Sequence, residues 1–168
     1  MKKLIAGAVA LTISGSAMAA GNSVGFAFGT NFYKPSTAGF TAQNGQNFTI
    51  SWALDNDISL GVYNEVSNVN GGTAPTTGTL TVNAIQVAKG VMKNVSVGLN
   101  LGAGTNGGGL VTAPVTAPLA DVYGAVNILS GSGDKVSGAL TATVAARYIT
   151  TGDYKNGVNL GLAVGIMF

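Results

Sequence analysis

The chain has 168 residues, enough for one domain, and only 8% of them are charged while 26 are Gly, a balance unlike that of a charged coiled coil or an ordinary cytosolic enzyme surface. It has no Cys and no His, which removes disulfides, thiolate metal sites and most general-base chemistry. The surplus of two positive charges sits in Lys2 and Lys3, so the rest is balanced and offers no basic patch to nucleic acid.

Residues 1–19 read as a secretory signal peptide: a basic start, a short apolar run from Leu4 to Ile13, and Ala17-Met18-Ala19 as the cleavage site. The expected mature domain is 20–168. Apolar and small or polar residues then alternate with period two, the signature of strands. Val24, Phe26 and Phe28 begin the pattern; Phe48, Ile50, Trp52 and Leu54 follow, then Ile58, Leu60 and Val62. In residues 79–88 the apolar set shifts from Leu80, Val82 and Ala84 to Ile85 and Val87, which predicts a bulge. Val95, Val97, Leu99 and Leu101 form the fifth strand, and Ala120, Val122, Val126 and Ile128 the sixth. Val136, Leu140 and Val144 mark the seventh, and Val158 to Phe168 the eighth.

The links between these strands are 34–47, 55–57, 67–78, 89–94, 105–118, 130–135 and 150–157, long and short by turns. Such alternation, with large apolar groups on one face and small or polar groups on the other, predicts an all-β, eight-stranded antiparallel up-and-down transmembrane β-barrel.

The whole of 22–168 resembles the small eight-stranded outer-membrane barrels of Gram-negative bacteria, the OmpA-like transmembrane class. The end of the chain carries the sharpest likeness, Val158 to Phe168 with Leu160, Leu162, Val164, Ile166 and Phe168 on one face. The resemblance implies a C-terminal assembly signal read by the barrel-assembly machinery, passage by periplasmic chaperones, an outer-membrane location and a last strand that pairs with the first. Phe26, Phe28, Trp52 and Tyr148 are then expected to face outer-membrane lipid.

Glu65, Asp121 and Arg147 fall on the inward parity, near the outer ends of the strands so drawn. An inward charge must be paired or hydrated, so the three are expected to form a lumen charge network, either a constriction near the outer mouth or an internal brace. Other inward positions are mostly Gly, Ala, Ser, Thr and Asn, with Tyr63 and Tyr123 the bulky ones, which predicts a narrow, wet, partly occluded interior. Asp55 and Asp57 read as turn residues rather than a catalytic pair. No enzyme, cofactor or metal site is expected. Loops 67–78 and 105–118, nearly uncharged and carrying repeated Thr-Ala-Pro, are candidate contact surfaces. The function expected is structural, surface-interacting or a minor permeation role. The alternative is a secreted fimbrial subunit polymerising by strand donation, since Ala146-Arg147-Tyr148 and the alternating end also look somewhat like chaperone–usher pilins.

Overall fold

The computed structural model describes residues 23–37, 39–54, 56–71, 76–108, 114–133, 136–150 and 155–168. The expected signal peptide and Asp55 lie outside them. Every regular element among the described residues is a strand: β1 (Val24–Pro35), β2 (Phe40–Ala53), β3 (Ile58–Gly71), β4 (Thr76–Met92), β5 (Val95–Gly108), β6 (Val115–Ser132), β7 (Ser137–Ile149) and β8 (Gly157–Met167). Each pairs antiparallel with its neighbours in sequence, and β1 pairs with β8 to close the barrel.

The register fixes the shape. A cross-strand row runs from Val24 through Trp52, Leu60, Val87, Leu99, Val122, Ala146 and Val158, and re-enters β1 at Lys34, ten residues above its start. For eight strands that offset tilts the strands by about 40° and raises the row by about 3 Å per strand. Each backbone donor and acceptor in the ladders is met by a neighbouring strand, a condition that hydrocarbon imposes on any wall crossing it. Links 54–57, 93–94 and 133–136 lie at the end that holds Val24 and Phe168, the turn side. Links 36–39, 72–75, 109–114 and 150–156 lie at the other, the loop side.

Those links are shorter than the sequence suggests. The expected long connections 34–47, 67–78 and 105–118 are largely strand, because the hydrogen-bonded ladder continues after the outward residues turn from apolar to Asn, Gln and Thr. Side-chain alternation reports what a wall faces, and the ladder needs no apolar side chain to persist. Of the two candidate contact loops, residues 67–71, 76–78, 105–108 and 115–118 are strand, and 72–75 and 109–113 lie outside the described residues.

The bulge expected in β4 is absent at Ala84 and Ile85, where both registers run without a shift. Leu80, Val82 and Ala84 point inward and are buried, while Ile85 and Val87 point outward. The apolar residues change face because the lumen itself is apolar at that height. β4 has its irregularity at Val91 instead, beside the turn, where Gly90 pairs with Ser96 and Met92 with Val95. Across the rim, at link 54–57, Asn56 and Asp57 both adopt positive φ, 64° and 60°, a conformation that Asn and Asp tolerate better than other side chains, and Leu54 N–H donates to Ile58 O at 2.7 Å.

Candidate functional site: the lumen charge network

Three layers fill the lumen. On the turn side the inward residues are small, with Ala27 packed near Ala163, and Ala88, Ala125 and Ala145 around Tyr123. Polar residues occupy the middle. On the loop side Tyr33, Val69, Leu80, Val82, Ala117, Leu119 and Ile149 pack into one apolar cluster, with Phe40 against it. The expectation of a wet interior therefore fails for the loop-side half. Large apolar residues fill most of it, with Asn106 a buried polar side chain at the height of Leu80.

The middle layer brings Glu65 of β3, Asp121 of β6 and Arg147 of β7 together. Asp121 and Arg147 are direct cross-strand partners. Arg147 donates from Nε to Asp121 Oδ1 and from Nη2 to Asp121 Oδ2, both at 2.8 Å. It also donates from Nη1 to Glu65 Oε1 and from Nη2 to Glu65 Oε2, again at 2.8 Å. One guanidinium thus clamps two carboxylates bidentately, the geometry that its planar fork favours. The three residues are 1%, 0% and 3% exposed for Glu65, Asp121 and Arg147, so the pairing operates without solvent screening. The position expected for them, near the outer mouth, is corrected. β3 and β6 run well past Glu65 and Asp121, and Val69, Leu119 and Ile149 stand above the triad on the same inward parity.

Neutral side chains complete the network, and of these sequence reasoning singles out Tyr63 alone, as a bulky inward residue. Glu65 also accepts from the Tyr63 hydroxyl, the Ser67 hydroxyl and Asn159 Nδ2, the last at 2.8 Å. Asn31 Nδ2 donates to Ser67 Oγ at 2.7 Å and to Asn159 Oδ1 at 3.2 Å. On the opposite side Asn100 Nδ2 donates to Asp121 Oδ2 at 3.3 Å, and Gln86 Nε2 to Asn100 Oδ1 at 3.1 Å. The Tyr33 ring lies 4.8 Å from Arg147 Cζ, a cation–π contact. Among the described side chains, every strand but β2 contributes one. β2 contributes Gly45, where a Cβ would come within 2.6 Å of both Asn31 Oδ1 and Ser67 Oγ. The register slips beside it, so that residues 43 and 44 oppose the single Asn68. A cavity of about 20 Å³ lies among Asn31, Gln86, Asn100, Asp121 and Tyr123, room for a water rather than a channel.

The outer wall is the reverse of the lumen. Phe26, Phe28, Trp52 and Tyr148 are exposed, as are Leu160, Leu162, Val164, Ile166 and Phe168 along β8. Phe168 stacks edge-on against Phe26, with centroids 6.5 Å apart, and exchanges two backbone hydrogen bonds with Val24. A continuous belt of exposed large apolar groups on a closed barrel of this height is a lipid-facing surface.

Among solved structures, the chain is similar to Neisserial surface protein A, with 14% identity, a TM-score of 0.58 and coverage of 87% of this chain and 95% of that one. It is also similar to Ail, the attachment invasion locus protein of Yersinia pestis, with 13% identity, a TM-score of 0.50 and coverage of 89% and 100%. The chain has the fold of the small eight-stranded outer-membrane barrels. No protein-family profile matches it, and no curated protein does. Within this barrel class the closed ring also bears on the fimbrial alternative: with β1 paired to β8 there is no open edge to accept a donated strand.

Proposed function

We propose that the protein is an integral outer-membrane barrel of Gram-negative type that works as a closed, rigid anchor and presents its loop-side rim to the surroundings, rather than as a pore. The observation that carries this reading is the stacking of an apolar plug on a buried ion network. Val69, Leu80, Leu119 and Ile149 cap the triad, and the triad spans the lumen below them. An ion following the axis would cross an apolar layer and then displace a guanidinium that already holds two carboxylates. Small uncharged solutes meet the same filled cross-section.

In this reading Glu65, Asp121 and Arg147 brace the wall. The apolar face of β8, ending at Phe168, engages the barrel-assembly machinery after export along the chaperone route. Links 72–75 and 109–114 carry the contacts made outside. The proposed role contains no chemical step. Reconstitution into planar bilayers tests it: the wild-type protein is expected to give no steady conductance, and so is Arg147→Ala while the plug stays in place. Stable unitary currents from the wild type would replace the anchor reading with permeation.

A further inference from the structure

The lipid-facing wall is interrupted between β1 and β4. Two adjacent cross-strand rows cross β1 to β4: Phe28, Phe48, Asn64 and Asn83 in one, and Thr30, Gln46, Val66 and Thr81 in the next row toward the loops. All of these but Thr30 line a concavity of about 360 Å³ in the wall, a volume within the usual range of small-molecule sites. Gln46, Asn64 and Asn83 make no side-chain hydrogen bond with any described residue, and Gln46 and Asn83 are exposed. An amide facing hydrocarbon with nothing to bond costs free energy, so three together at the border of the apolar belt call for a partner.

The concavity has a direction. Rows rise by about 3 Å per strand from β1 to β4, which puts Asn83 about 9 Å nearer the loop side than Phe28. The tilted rings of Phe28 and Phe48, with centroids 4.8 Å apart, therefore lie low, and the amides lie above them. Apolar below and hydrogen-bonding above is the profile of a lipid in the loop-side leaflet at its acyl linkage. The surface around the amides is uncharged. Glu65, the one charged residue at the concavity, turns its carboxylate inward to Arg147. A phosphate finds no cation there, whereas a neutral carbonyl finds three amide donors.

We propose that this notch holds one lipid of the loop-side leaflet, whose acyl-linkage carbonyls accept hydrogen bonds from Gln46, Asn64 and Asn83 while a chain lies over Phe28 and Phe48. A second copy of the barrel suits the site less well, because two facing concavities would leave a gap between them. The proposal rests on the wall being membrane-embedded, as in the function proposed above.

Native mass spectrometry of the purified full-length mature chain tests it. The probe is an equimolar mixture of diester and diether phosphatidylcholines of equal chain length, which share a headgroup and differ in the linkage carbonyls. The wild type is expected to retain one diester lipid with on the order of ten-fold preference over the diether, and Gln46→Leu/Asn64→Leu/Asn83→Leu to lose that preference. Equal retention of the two lipids, or a preference unchanged in the triple variant, overturns the proposal. So does a dimer mass that the triple variant abolishes, which would assign the notch to a second copy. Gel mobility before and after boiling runs alongside. A wild type without a mobility shift would remove the membrane reading itself, a failure distinct from that of the lipid site. If the triple variant shows no shift, Asn64→Leu alone carries the comparison, with the preference expected to fall about three-fold.

Discussion

Arg147 is the residue on which the interior depends, because its one positive charge faces two carboxylates with no bulk water to share the load. Arg147→Ala leaves Glu65 and Asp121 buried, adjacent and uncompensated, a loss of about 3–5 kcal/mol. Denaturant titration in lipid vesicles is expected to show that loss, and Arg147→Lys to recover little, since an ammonium cannot fork onto both carboxylates. Gly45→Ala tests the network from β2. The added methyl would press on Asn31 and Ser67, with an expected cost of about 1–3 kcal/mol in the same titration. The inward parity of Glu65, Asp121 and Arg147 is legible in the sequence, because period two fixes the face and charges stand out on a sparsely charged chain. Asn31, Ser67, Asn100 and Asn159 are not legible in the same way. They share that parity with many other small polar residues, and only three-dimensional register tells which of them reach a carboxylate.

At the scale of the strand, the main lesson is that alternation carries face but not height. Val69 lies four residues beyond Glu65, Ile149 two beyond Arg147, and Leu119 two before Asp121, all on the inward face. Extending each strand's parity past its last outward apolar residue finds all three, whereas ending the strand there consigns Val69 to a loop. Leu80 and Val82 mislead for the same reason, since an apolar lumen layer imitates a change of face. The plug makes its own prediction. Leu119→Ala/Ile149→Ala opens space above the triad without touching it, so the barrel is expected to lose about 4–8 kcal/mol at most and to admit water. Bilayer recording is expected to stay silent until Arg147→Ala is added, and a current in the plug variant alone would show that the apolar layer is the sole seal. At the other end, Phe168 closes β8 against Phe26 and Val24. Deleting it is expected to lower the folded, membrane-inserted yield several-fold with export intact, read by fractionation.

The whole molecule is a ladder joined to itself, so no strand can leave without breaking two ladders. Such closure is expected to keep the barrel compact in unheated detergent and to let it expand on boiling, seen as a change in gel mobility. An unshifted band would contradict the closed ring. Strand number and order are legible in the sequence because each hydrophobic face is about one bilayer tall. The ten-residue offset around the ring is not, for it is a sum of seven hairpin registers and one closing pair, each fixed by packing in the lumen. That closing pair has a consequence of its own. Val24 and Phe168 exchange hydrogen bonds of 3.2 and 3.0 Å, so the first and last strands meet side by side at one rim. Joined there by a short linker, the chain would become a ring with no first strand, free to be cut afresh at 93–94. The rearranged barrel would keep every register described above while its last strand became β4, ending at Met92, and the strand that finishes at Phe168 would lie mid-chain. Fold and address label would thereby be separated, and membrane insertion of that permuted chain would report which of the two the cell reads.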